Sequence, residues 1–220
     1  MRVLLFGCLC GLFWACHSGD KKAEANAATA GVEASYAVTA TEEGLVTVLM
    51  QFGVADALAQ RRLPAGQEVV VDGEPVAADS STMGGVFYEL QKPLADFLGR
   101  HVIAVQEKGK TILADSFAVE PFFLPDRLPP QSMAQPMVLQ LDHFTDTAVR
   151  VLVVDNNFAS ADINETYPVI KGRLEIPAAD LQQALVPGPA VLELYLEKET
   201  TKQKRSLSYS YSVQRELLLQ

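Results

Sequence analysis

The stretch Pro177-Ala178-Ala179-Asp180-Leu181-Gln182-Gln183-Ala184-Leu185-Val186-Pro187-Gly188, running on into Pro189-Ala190-Val191-Leu192-Glu193-Leu194, has a counterpart earlier in the chain. That counterpart is Pro93-Leu94-Ala95-Asp96-Phe97-Leu98-Gly99, which runs on into Arg100 to Val105. In each copy a proline, with φ fixed and no N–H to offer, starts a short helical turn. A glycine closes the segment just before an apolar strand. Phe87, Leu94 and Leu98 each stand 87 residues before Leu174, Leu181 and Leu185. Ile103 and Val105 match Leu192 and Leu194 on the following strand. Further out, Val46-Thr47-Val48 aligns with Val149-Arg150-Val151, and Phe117-Ala118-Val119 aligns with Tyr209-Ser210-Tyr211-Ser212-Val213. Self-similarity at one long period marks a unit used twice. The fold class that follows is all-β, with two tandem β-sandwiches in preference to one large barrel.

The rest of the chain supports a strand-rich reading. Short alternating runs are separated by Gly, Pro, Asp and Asn, the pattern of a sandwich or barrel. Val46, Val48 and Met50 alternate with Thr47, Leu49 and Gln51. Val69-Val70-Val71 meets an Asp72-Gly73 turn, and Lys108-Gly109-Lys110 joins His101–Glu107 to Thr111–Val119 as a tight hairpin. Brief helical turns are predicted near Asp56–Arg62 and Pro93–Leu98. The domain plan is a leader over 1–15, a flexible tether over 16–34, sandwich 1 over 35–120, a linker over 121–136 and sandwich 2 over 137–220. The linker holds five of the chain's 12 prolines, so it reads as a stiff connector and not a central strand. Phe122, Phe123 and Leu124 are too apolar for full solvation and are expected to pack on one or both sandwiches.

Two features near the end of the chain carry alternatives. Glu197 to Arg205 is a charge-rich run between two good strands, read as a solvated hairpin tip, with a protein-docking tip as the functional alternative. Leu217-Leu218-Leu219 is expected to pack back on the second sandwich or the linker, the alternative being a partner contact.

Residues Lys171 to Val213 add a family resemblance. Gly172-Arg173-Leu174-Glu175-Ile176-Pro177-Ala178 leads through Pro187-Gly188-Pro189-Ala190-Val191 to a closing hairpin, and this segment resembles the second half of an immunoglobulin-like domain of the IPT/TIG kind. The first copy has Glu89-Leu90-Gln91 in place of the Ile-Pro-Ala step. The resemblance implies that the two tandem sandwiches are immunoglobulin-like, and it implies no single activity.

The N-terminus carries a second resemblance. Arg2 precedes an apolar run through Val3-Leu4-Leu5-Phe6 to Leu12-Phe13-Trp14, and Ala15 stands immediately before Cys16. A charged n-region, an apolar h-region and a small residue at the cut form a secretory leader too short to span a bilayer. With a cysteine just after the cut, it resembles a bacterial lipoprotein leader, although Leu12 lies one place further out than the family usually has its leucine. The resemblance implies that the Cys16 thiol is lipidated, that Cys16 is the mature N-terminus, and that the protein sits in the cell envelope, at the bacterial outer membrane. Two acyl chains suffice for stable anchoring without a transmembrane helix. All three cysteines (Cys8, Cys10, Cys16) lie at or before that cut, which leaves no disulfide and no Cys-based metal site in the mature chain. From His17 to about Ser35 small and polar residues dominate, with Val32 the one larger aliphatic. This reads as a disordered tether with a reach of about 25 Å.

A net charge of −9 with no basic patch excludes nucleic acid as a partner. The partners expected are the membrane, through lipid on Cys16, and an envelope protein. The best candidate ligand or metal loop is Asp155, Asn157, Asp162, Asn164 and Glu165, hard oxygen donors of the kind Ca²⁺ takes. Its spacing departs from a Ca²⁺-loop motif, with Ser160 at the glycine position, and a solvated turn explains it as well. No catalytic residue is assigned. Asp142 and His143 are neighbours and would point to opposite faces of a strand, and no G-x-S-x-G, H-E-x-x-H or nucleotide-binding glycine loop occurs. Tyr209 and Tyr211 are read as inward, with Ser206, Ser208, Ser210 and Ser212 outward, the alternative being a sugar-stacking pair. No cofactor is expected. The function expected is a non-enzymatic binding or structural module, the alternative being a surface receptor for a glycan or small ligand.

Overall fold

The computed structural model describes residues 32–42, 44–54, 62–81, 85–155 and 161–220. Cys16, the leader, most of the tether and all but Arg62 of the helical turn predicted near Asp56–Arg62 lie outside these residues. The first half comprises β1 (Val32–Thr41), β2 (Leu45–Val54), β3 (Gln67–Val71), β4 (Glu74–Val76), β5 (Ala78–Ser81), β6 (Gly85–Pro93), β7 (Gly99–Glu107) and β8 (Lys110–Val119). Strand order β5-β6-β2-β1 faces β4-β3-β7-β8. Two antiparallel sheets in this Greek-key order make an immunoglobulin-like sandwich. Alternation drives it: Tyr36, Val38, Val46, Val48, Met50, Ile103 and Val105 are all buried. Asp72-Gly73 and Lys108-Gly109 have positive φ at both residues. Turns of that shape match the right-handed strand twist and close two-residue hairpins.

The second half comprises β9 (Met137–Gln140), β10 (Ala148–Asp155), β11 (Ile163–Ile170), β12 (Arg173–Ile176), a helix α1 (Ala178–Ala184), β13 (Gly188–Lys202) and β14 (Arg205–Leu219). β14, β13, β10 and the start of β11 form one layer. The end of β11, with Val169 and Ile170, turns to pair with β12, which pairs in turn with β9. Pro168 sits at this change of partner, where a missing donor costs least. The linker joins the sandwich as strand-like pieces: Phe123 bridges Asp142, and Gln131 bridges Leu219 in parallel. Phe122 and Leu124 are buried, while Phe123 is 37% exposed.

Three sequence expectations change. β1 begins at Val32, so residues 32–34, assigned to the tether, are strand; the alternation of Ala34, Tyr36, Val38 and Ala40 is the core face. The strand matching of the repeat also shifts by one. β6, a 3₁₀ turn (Leu94–Asp96) and β7 answer to β12, α1 and β13, as expected. Pairing then makes β9 the counterpart of β2, and β10 the counterpart of β3, so Val149–Val151 matches Val69–Val71. Period-two alternation is common to every strand and could not fix that match. At the closing strand Phe117 and Val119 answer to Leu217 and Leu219, opposite Ala190 and Gly188. Leu98 is 51% exposed, and the buried residue beside it is Phe97.

The closing hairpin adds a feature that the sequence did not show. Glu197 to Arg205 is a largely exposed hairpin tip, as expected, with strand continuing through it on both sides of a Gln203-Lys204 turn. β13 is 15 residues long against nine for β7. The extra length carries the β13–β14 hairpin along the first sandwich, where residues 205–212 of β14 pair in parallel with residues 34–41 of β1. β14, about 50 Å long at roughly 3.3 Å per residue, is therefore a strand of both sandwiches, and one apolar cluster runs through both halves.

Candidate functional site

Two charged residues interrupt the inward faces of the closing strands at matching positions. On β8, Asp115 stands between Leu113 and Phe117, opposite Ile103. On β14, Arg215 stands between Val213 and Leu217, opposite Leu192. Each clamps the joint between the sandwiches. Arg215 makes a bidentate ion pair with Glu42, at the end of β1, its Nη2 donating to Oε1 at 2.8 Å. It also donates to the linker carbonyls of Leu124 and Pro125, both at 2.8 Å. Asp115 accepts from Arg205 Nη1 at 2.9 Å and from the Tyr36 hydroxyl at 3.0 Å. Burial, reinforced by the Asp115 charge, drives the Tyr36 phenol far above its usual range and keeps it a neutral donor.

Beside the second clamp lies a groove of about 430 Å³. Its floor is the outer face of β7 and β8, with Arg100, Val102, Ala114 and Ser116. Its wall is the hairpin tip, with Thr200, Lys202, Ser206 and Leu207. Arg100 Nη2 donates to Ser116 Oγ at 3.1 Å. Three cations meet one carboxylate here, and Arg205 already pairs that carboxylate. A broader groove under the linker mixes Glu42, Asp126, Glu193 and Glu216 with Arg127 and Arg215.

The residues of the candidate acidic loop divide. Asp155 is buried, and its Oδ2 accepts the Val186 N–H at 2.9 Å, which ties the end of β10 to the lead-in of β13. Asn157 lies outside the described residues. Asp162, Asn164 and Glu165 are exposed, and Asn164 and Glu165 are neighbours on β11, on opposite faces. No three His, Cys, Asp or Glu converge among the described residues. His143 has φ of 61° and lies edge-on to Phe123 at 6.0 Å, away from any acid–base arrangement with Asp142. Tyr209 and Tyr211 face inward as expected, Tyr211 packing edge-on against Phe122 at 5.2 Å.

A His–Asp pair does occur elsewhere. His101 Nδ1 lies 2.6 Å from Asp72 Oδ2, and Asp72 Oδ1 also accepts the Val102 N–H. The ring stacks on Phe97 at 3.7 Å, and its Nε2 is buried with no partner among the described residues. With the His101 ring buried and Asp72 exposed, the pair serves as a strut of the β3–β4 turn. Standing 29 residues apart, the two gave no local signal for this contact. Asp115 and Arg215 did give one, as charges at apolar positions of alternating strands.

No family model matches the chain, and no curated protein matches it. Among solved structures it is similar to the tandem Ig repeats of Dlar, at 8% identity, with 86% of this chain and 98% of that chain covered and a TM-score of 0.25. It is also similar to domains A168-A170 of titin, at 9% identity, with 86% and 66% covered and a TM-score of 0.28. A third similarity is to the titin domains z1z2 in complex with telethonin, at 13% identity, with 86% and 93% covered and a TM-score of 0.21. The immunoglobulin-like layout of this chain rests on its own strand order.

Proposed function

We propose that this chain is a lipid-anchored cell-envelope protein, held at the bacterial outer membrane through Cys16, that acts as a non-enzymatic binding module. The observation that supports the binding role is the strand shared by both sandwiches: β14 pairs with β13 over its full length and with β1 over residues 205–212. Two sandwiches joined by one continuous sheet form a stiff body. Such a body suits presentation of a surface to a partner, with little orientational entropy left to lose on binding. The envelope role rests on the leader, where Ala15-Cys16 follows an apolar run.

The experiment is Cys16→Ser in the full chain, read by fractionation and by circular dichroism of the purified protein. The expected result is an unchanged β spectrum with loss of the protein from the membrane pellet, because lipid alone supplies attachment. Retention of the variant in the pellet at the wild-type level would overturn the anchored reading.

A further inference from the structure

We propose that the groove between the outer face of β7–β8 and the tip of the β13–β14 hairpin binds an extended acidic segment of a protein partner. This deepens the binding-module reading and rests on it.

Charge is the first argument. The chain carries nine more acidic than basic side chains, yet the groove gathers Arg100, Lys202 and Arg205 around a single carboxylate. Asp115 is spent on Arg205, at 2.9 Å. Among the described residues the Arg100 guanidinium is hydrogen-bonded to a neutral hydroxyl, Ser116, with no ion pair, and Lys202 has no ion-pair partner. Two cations are left to meet incoming anions, and complementary charge selects the partner and speeds its encounter.

The second argument is shape. Arg100 and Val102 on β7, and Ala114 and Ser116 on β8, are alternate residues of extended strands. They repeat about every 6.6 Å, the spacing at which an extended peptide places side chains on one face. Cation and aliphatic contacts thus alternate at the period of an acidic–apolar strand, with Val102 41% exposed. β8 is also the terminal strand of its sheet. Main-chain groups on its open side are not taken by a ladder, and an added strand recruits such groups. The volume, about 430 Å³, falls within the roughly 300 to 1,000 Å³ usual for binding clefts.

A saccharide fits less well. The one aromatic ring lining the groove is Tyr36, 2% exposed and tied through its hydroxyl to Asp115. Among the described residues no ring face is offered there for a sugar to stack on.

The experiment uses the soluble Cys16→Ser protein and a fluorescein-labelled peptide of alternating Glu and Val, read by fluorescence anisotropy. An alternating Lys and Val peptide and an oligogalacturonate serve as the basic and saccharide arms. The expected result is saturable binding of the Glu/Val peptide, weakened by added salt. It should be at least about tenfold weaker in Arg100→Glu with Lys202→Glu, a loss of about 1.4 kcal/mol. Both side chains are exposed, so an unchanged circular dichroism spectrum confirms that the double variant folds. Equal affinity for the double variant, equal binding of the Lys/Val peptide, or binding of the oligogalacturonate in place of the peptide would each overturn the proposal. So would absence of peptide binding by the wild-type groove. Those outcomes leave the membrane fractionation untouched, so failure of the groove and failure of the anchor are read separately.

Discussion

Replacing Arg215 by methionine should cost more stability than any surface substitution in this chain, and the structure says how much. The Arg215 side chain is 9% exposed and that of Glu42 is 18% exposed. Methionine keeps the aliphatic volume but removes the charge, which leaves a largely buried carboxylate with no counter-ion and takes a donor from each of the Leu124 and Pro125 carbonyls. Breaking one side of a buried ion pair costs roughly 3 to 5 kcal/mol. Residual water at Glu42 places the expected loss near the lower end, about 3 kcal/mol. For a chain of this length that is a fall in Tm of roughly 6 to 12 °C. Adding Glu42→Gln to Arg215→Met removes the stranded charge, so the double variant should be less damaged than the two single losses added together, with a coupling of about 1.5 kcal/mol or more. The assay is urea unfolding of wild type, both single variants and the double variant, followed by circular dichroism. Additivity within about 0.5 kcal/mol would refute the clamp, and so would a cost below about 1 kcal/mol for Arg215→Met, the value of an exposed pair.

Gly172→Ala should destabilise by about 2 kcal/mol or more, because Gly172 has φ of +75° and an added Cβ would lie 2.9 Å from the Leu141 carbonyl oxygen. Gly109→Ala, at φ of +74° with nothing within 4 Å, should cost only about 1 kcal/mol, so equal losses in thermal unfolding would contradict the close approach. Alkali should also unfold the protein in a defined window: burial pushes the Tyr209 phenol up to about 12 from an ordinary 10.0. A folded-state pKa above the unfolded one gives stability that is whole below pH 10 and is lost as pH rises towards 12, here on the order of 2 kcal/mol. Urea midpoints across that range should fall for wild type and fall less for Tyr209→Phe; parallel curves would refute the assignment.

The sandwich was legible because its signals are local. X-Gly turns at Asp72-Gly73 and Lys108-Gly109, the Pro93 and Pro177 turn starts, and alternation in β7 and β13 each report on a handful of adjacent residues, and each stands where it was read. Strand identity was less legible, because alternation looks the same in every strand. What distinguishes β2 from β3 is which strand each pairs with, a property of partners tens of residues away. The start of β1 was assigned to the tether for a different reason: Glu33 and Ala34 continue a small and polar run without a break, and only the place of β1 between β2 and β14 gives the segment a reason to be extended.

The joint between the sandwiches shows how a correct reading of one segment can leave its strand pairing unseen. Charge-rich segments between strands are usually solvated, and Glu197 to Lys204 is largely exposed here too. What the rule ignores is that a strand has two faces and two edges. The charges of the tip occupy faces, while the β14 edge is free to take β1 through main-chain groups that carry no side-chain signature. The trace that remained in the sequence lay elsewhere, in Asp115 and Arg215, each a charge on an otherwise apolar strand face. Inward charges at a strand edge discourage association with stray strands. In this chain they also pair across the joint, Asp115 with Arg205 and Arg215 with Glu42, so that the same devices fix which strand is admitted. The groove beside β8 exists because the tip runs past the first sandwich without pairing with β8. The feature that fuses the two halves therefore also creates the concave surface on which the proposed binding rests.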